Sequence, residues 1–231
     1  MSGLHVKRWH GPQSTATAVL VHMLTSSSAS WWQLGPELAG RGYDVWAPDL
    51  CGHGESPRRD EYDIDAMADE LIAAVPTAPD LLVAHSFGAI VAARAAARIK
   101  PARVVYSEPA WVAVGGADRF AFYRSQKQWT LADVRQESPR WAPEAHAAKL
   151  TALAGWDAAS LQAIEGFPGY EPADPVVPTL IVTADPSRII PPERCERFRA
   201  QGFTVRTVPE SAHVLHNEDF PGFLKALDGW L

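Results

Sequence analysis

The run Leu81-Leu82-Val83-Ala84-His85-Ser86-Phe87-Gly88-Ala89 sets a serine hydroxyl between an apolar strand and an alanine-rich helix. A strand-to-helix turn that tight holds its serine in a strained backbone conformation, so only small residues fit two positions to either side. Ala84 and Gly88 meet that need, with alanine standing in the first place, where glycine is usual. A serine there that did no chemistry would serve as a helix N-cap. To act as a nucleophile at neutral pH it needs a base, and imidazole is the common one. Of the eight histidines, His213 is best placed. It follows the last expected strand in Val208-Pro209-Glu210-Ser211-Ala212-His213, on a loop before the C-terminal helix.

Those two side chains lie far apart in sequence and must be brought together by a sheet. Apolar, β-branched runs at Thr17–His22, Asp44–Ala47, Leu81–Ala84, Arg103–Ser107, Thr179–Thr183 and Thr204–Val208 read as strands. Helical patterns at Trp31–Ala39, Ile64–Val75, Phe87–Ile99, Pro191–Ala200 and Phe220–Leu231 separate them. Strands alternating with helices predict an α/β fold with a mostly parallel sheet covered on both faces, and ligands bind at the carboxyl ends of such strands. Ser86 falls at one of those ends. The alternation breaks between Pro109 and Pro178, where no strand is expected and aromatic residues collect. This segment, 109–178, reads as a helical cap inserted in a single domain spanning 1–231, with Trp111 and Trp129 expected to meet the substrate.

At 231 residues, with 47% hydrophobic content and a net charge of −6, the chain can bury one large core and has no basic footprint for nucleic acid. No stretch approaches the length of a membrane-spanning helix, and Met1–Gly11 lacks the apolar core of a secretory signal, so a cytoplasmic location is expected. Cys51 and Cys195 have neither metal nor redox spacing and are expected to be reduced thiols. His and carboxylate spacings typical of metal sites are absent from the sequence, so neither metal nor cofactor is expected.

Two further segments join the serine and histidine motifs. Val19-Leu20-Val21-His22-Met23-Leu24 resembles a strand ending in H-G-x, and Ala47-Pro48-Asp49-Leu50-Cys51-Gly52-His53-Gly54-Glu55-Ser56 resembles a "P-D-x-x-G-H-G-x-S" loop. Ser211-Ala212-His213 resembles a "G-x-G-H" base loop. Together they resemble the α/β-hydrolase family over nearly the whole chain. The resemblance implies an α/β-hydrolase fold, with an oxyanion hole made by the backbone N–H groups of Leu24 and Phe87. Met23 stands where the family commonly has glycine, so the oxyanion loop is expected to differ there and the Met23 side chain to meet substrate.

The third catalytic member has two candidates. Laid on Ala184-Asp185-Pro186-Ser187-Arg188-Ile189-Ile190-Pro191-Pro192, the family pattern "G-x-x-D-x-I-V-P-P" puts Ser187 in the acid slot, with Asp185 two residues early. Glu108, at the end of the strand Arg103–Ser107, resembles the glutamate that haloalkane dehalogenases and zearalenone lactonases carry after that strand. It is preferred over Asp185 by a small margin. The requirement is a carboxylate that accepts the imidazole Nδ1–H. Asp49 and His53 are expected to brace their loop, His22 and His85 to pack around the serine, His216 to lie near the pocket mouth and His146 on the surface.

A serine nucleophile argues against the dehalogenase and epoxide-hydrolase branches, which use aspartate. The resemblance implies a cofactor-free serine hydrolase acting on a small, largely apolar ester or lactone. Alternatives on the same scaffold are C–C hydrolysis, lyase chemistry, perhydrolysis and non-catalytic ligand binding.

Overall fold

The computed structural model describes residues 3–112 and 116–231; residues 113–115 of the expected cap lie outside the described residues. The strands are β1 (Val6–His10), β2 (Ala16–Val21), β3 (Tyr43–Pro48), β4 (Leu81–His85), β5 (Val104–Ser107), β6 (Thr179–Asp185) and β7 (Thr204–Pro209). They form one seven-stranded sheet in the order β1-β3-β2-β4-β5-β6-β7. Only β1 runs antiparallel, paired to β3 with Trp9 opposite Val45. This strand was not expected from sequence, because Val6-Lys7-Arg8-Trp9-His10 is an edge strand with exposed lysine and arginine rather than an apolar run.

Successive side chains on a strand point to opposite faces, and β4 divides accordingly. Leu82 and Ala84 join a core with α2 (Ile64–Ala74) and α3 (Phe87–Ile99). Leu81 and Val83 join the opposite core with α1 (Leu34–Gly40) and α9 (Phe220–Ala226). A strand buried on both faces is apolar throughout, as all five residues of β4 except its terminal histidine are. That central burial fixes where β4 ends, and therefore where Ser86 stands.

Between β5 and β6 the chain carries α4 (Ala117–Ser125), α5 (Leu131–Glu137) and α6 (Pro143–Gly155), with no strand among the described residues. Thr130 and Asp133 close α5 in a reciprocal capping box. Trp111, expected at the substrate, is instead a core residue. Its ring lies edge-on to Tyr106 and Phe198, and its indole N–H donates to the Ala89 carbonyl at 3.0 Å. An indole buried this way has its polar atom satisfied by α3 and its face used in packing. After β6 come α7 (Pro192–Ala200) and, beyond β7, α8 (Leu215–Glu218). Among the described residues, no helix is long and apolar enough to cross a membrane.

Candidate active site

Ser86 sits between β4 and α3 with φ 53° and ψ −116°, and its side chain makes no capping bond to the helix. A non-glycine residue at positive φ is strained, and here the surroundings impose it. The Ser86 N–H donates to the Ser107 carbonyl at 3.0 Å, and its own carbonyl accepts from Ala89 and Ala110. The turn brings α3 against β2 so closely that a Cβ on Gly88 would lie 2.3 Å from the His22 carbonyl oxygen. Backbone cannot yield as a side chain end does. Gly88→Ala is therefore expected to destabilise the fold by about 2–3 kcal/mol, measured as a shift in urea midpoint at unchanged slope.

His213 arrives on the loop after β7 and places Nε2 2.8 Å from Ser86 Oγ. Its Nδ1 lies 3.1 Å from Glu108 Oε2. Because the carboxylate only accepts, Nδ1 carries the proton and Nε2 is left to accept from the Ser86 hydroxyl. Glu108 follows β5 with φ 45° and is fully buried. Its Oε1 accepts the Ala184 N–H at 2.8 Å, and its Oε2 also accepts the Ser187 hydroxyl at 3.0 Å. Ser187 in turn accepts the N–H groups of Ile189 and Ile190. The residue standing in the acid slot of the sequence pattern thus holds the carboxylate that reaches the imidazole.

Asp185, the other candidate acid, is not joined to His213. It ends β6 opposite Pro209 with its side chain exposed, while the N–H of its neighbour Ala184 faces Glu108. The side chain from this segment that reaches Glu108 is Ser187, which lies beyond the end of β6.

The loop after β2 lies beside Ser86, and His22 sets its shape. Leu50 N–H donates to His22 Nε2 at 2.9 Å, leaving Nδ1–H to donate to the Met23 carbonyl at 2.8 Å. The Met23 carbonyl and the Leu24 N–H belong to one trans peptide and point opposite ways. A histidine pulling the oxygen in one direction therefore aims the N–H in the other. Desolvation holds the fully buried His22 below its ordinary pKa, which keeps this neutral arrangement. Phe87 heads α3, where first-turn N–H groups lack helical partners. In this loop positive φ falls on Thr25, at 57°, and not on Met23.

Ser86 and His213 line a cavity of about 470 Å³, together with Met23, Phe122, Trp129 and Trp141. That volume suits a small organic ligand. Asp49 braces the neighbouring loop by accepting the N–H groups of Ser28 and Glu55 at 2.6 and 2.9 Å. His216, expected at the mouth, is buried and stacked on Trp31, and His146, expected on the surface, is buried with Nε2 2.8 Å from the Ser138 carbonyl. Sequence reasoning passed over Lys149, which is buried in the cavity wall. Its signal was available: it is the one lysine, arginine or carboxylate between Ala145 and Gly155, in an alanine- and leucine-rich stretch. Among the described residues, no group of three or more His, Cys, Asp or Glu side chains is disposed to hold a metal ion.

The fold and site define an α/β protein with a strained serine at the carboxyl end of its central strand. The model of the alpha/beta hydrolase family matches residues 10–226, and the chain belongs to that family. It is 37% identical to Lipase LipV of Mycobacterium tuberculosis over 97 residues, covering 41% of this chain and 36% of the lipase. The match therefore spans little more than a third of that relative's length. Among solved structures, an N-formylmaleamic acid deformylase from Pseudomonas putida superposes with a TM-score of 0.80 at 23% identity, covering 97% of this chain and 95% of that one. An N-acyl homoserine lactonase complexed with N-hexanoyl homoserine lactone superposes with a TM-score of 0.76 at 18% identity, covering 100% and 94%. At those identities the likeness is one of fold.

Proposed function

We propose that this protein is a serine hydrolase cleaving a small carboxylic ester or lactone through an acyl-enzyme on Ser86. The observation that carries the reading is the line of hydrogen bonds from Ser86 Oγ through His213 to Glu108, at 2.8 and 3.1 Å. His213 Nε2 takes the serine proton as Oγ attacks the carbonyl carbon, and Glu108 stabilises the imidazolium that forms. Negative charge developing on the carbonyl oxygen is met by the Leu24 and Phe87 N–H groups, a pair whose donors contribute about 3–4 kcal/mol each in comparable sites. Collapse of the tetrahedral species expels the alcohol, which takes the proton from His213. Water, activated by the same imidazole, then releases the acid and restores the hydroxyl.

Residues 109–178 are read as a cap on one 1–231 domain, supported by the way Trp129 from that segment and Met23 from the sheet side line the same cavity. The reading is tested by fluorophosphonate labelling. The wild-type protein is expected to take up one equivalent on Ser86, located by peptide mass, while Ser86→Ala takes up none and keeps its far-UV circular dichroism. Equal labelling of the two proteins would reject Ser86 as the nucleophile.

A further inference from the structure

Lys149 is 8% exposed, yet among the described residues no carboxylate lies within ion-pairing distance of its ammonium. Its Nζ donates instead to three neutral acceptors: the Thr25 carbonyl at 2.9 Å, Thr25 Oγ1 at 2.6 Å and Gln126 Oε1 at 3.0 Å. A buried charge held only by neutral dipoles is costly, and its environment is completed by an anion. All three side chains line the cavity that holds Ser86.

Two consequences follow from the donor directions. Thr25 Oγ1 accepts from the ammonium, so its hydroxyl proton is turned elsewhere. Gln126 presents its oxygen to Lys149, so its NH2 is turned away from the lysine. The patch therefore offers an O–H, an amide N–H and a positive charge behind them, which is the donor set of a carboxylate site. The other charged groups of the cavity do not cancel it. Asp118, Arg119, Glu137 and Arg188 are exposed, and Glu218 accepts the Trp141 indole N–H at 2.7 Å with Arg140 3.7 Å away. Desolvation pushes Lys149 down to about 7, with the Glu137 charge pulling it back up. A ligand carboxylate would act in the same sense as Glu137 and at closer range.

We propose that Thr25, Gln126 and Lys149 form a carboxylate-binding subsite, so that the preferred substrate carries a free carboxylate on its acyl side as well as the scissile carbonyl. The inference rests on the hydrolase reading only for which end of the ligand meets Ser86. Lys149 also holds the strained Thr25 on the loop that carries Leu24, so its substitution changes more than charge. The test must therefore read discrimination between substrates rather than a single rate.

Turnover of p-nitrophenyl hemiglutarate and p-nitrophenyl butyrate is compared in the wild-type protein and in Lys149→Met, with thermal denaturation confirming that the variant is folded. Wild type is expected to favour the hemiglutarate in kcat/KM by about tenfold or more, and Lys149→Met to lose that preference. Equal loss on both esters would make the lysine a brace for the loop alone and overturn the subsite, as would a wild-type preference for butyrate. Glutarate binding to the wild-type protein, followed by calorimetry with neutral glutaramide as control, answers the question without catalysis. Glutarate bound and neither ester cleaved would reject the hydrolase reading and keep the subsite; no selectivity for glutarate over glutaramide would reject the subsite.

Discussion

Replacing Glu108 with glutamine is expected to lower kcat by about 10⁴-fold with little loss of folding, because it reverses the proton on His213. The Ala184 N–H fixes an acceptor at the Oε1 position, 2.8 Å away. The amide carbonyl takes that place, leaving the NH2 where Oε2 faces Nδ1. Nδ1 must then accept, Nε2 becomes the protonated nitrogen, and the imidazole has no lone pair for the Ser86 hydroxyl. Asp185→Asn, by contrast, is expected to stay within about twofold of wild type, since its exposed carboxylate is outside the line. Ser187 adds a sharper test, because its Oγ lies 3.0 Å from the Glu108 oxygen that faces the imidazole. Ser187→Asp in the Glu108→Gln background returns a carboxylate to the region and is expected to recover about tenfold or more in kcat. Steady-state kinetics on p-nitrophenyl butyrate measures all four proteins. Near-wild-type turnover by Glu108→Gln would remove the carboxylate from the mechanism.

Acid is expected to unfold this protein steeply, through histidines rather than through carboxylates alone. His22, His53, His85 and His216 are all buried. Desolvation lowers each of them, His53 and His216 to about 3, and the charge of His213 presses His85 and His216 further in the same direction. In the unfolded chain they titrate near the ordinary value of 6.5. Above that pH both states are neutral and stability is full. As the pH falls from about 6.5 towards the depressed folded values, the unfolded state binds protons that the folded state refuses, and stability declines. His53 and His216 alone give a slope of about 2.7 kcal/mol per pH unit, and His22 and His85 add to it with the same sign. Over about two pH units that slope removes about 5 kcal/mol, against a stability of about 5–15 kcal/mol for an ordinary domain. Urea denaturation between about pH 7.5 and 5 measures the slope. His216→Phe keeps the stack on Trp31, removes two ring nitrogens that have no partner among the described residues, and is expected to reduce the slope by about one proton's share, or 1.4 kcal/mol per pH unit. An unchanged slope in that variant would exclude His216 as a contributor.

The sheet was legible because its central strands are buried on both faces and therefore written in apolar, β-branched residues. β1 escaped because an edge strand satisfies its pairing on one side and can afford lysine and arginine on the other. Ser86 was readable from small residues that close packing demands, and Gly88 demonstrates the demand at 2.3 Å. The acid was harder. Two carboxylates stand at the ends of two adjacent strands, and which one meets the imidazole depends on side-chain direction there, a property no motif records. Trp111 and Trp129 illustrate the same limit. Both are tryptophans of the segment between β5 and β6, but one satisfies its indole on α3 while the other faces the cavity. Lys149 stood out as a lone cation in its helix, but its setting was hidden, because its partners Thr25 and Gln126 come from two distant stretches of chain and neither carries a charge.

His22 grips the Met23 carbonyl from behind, so the direction of the Leu24 N–H is decided without reference to what stands at position 23. Met23 lines the cavity. The position is thereby released from the duty that elsewhere asks for glycine, and becomes a place where descent or design can trade thioether for smaller or larger groups. Selectivity at this protein can drift while its reactive machinery keeps its aim.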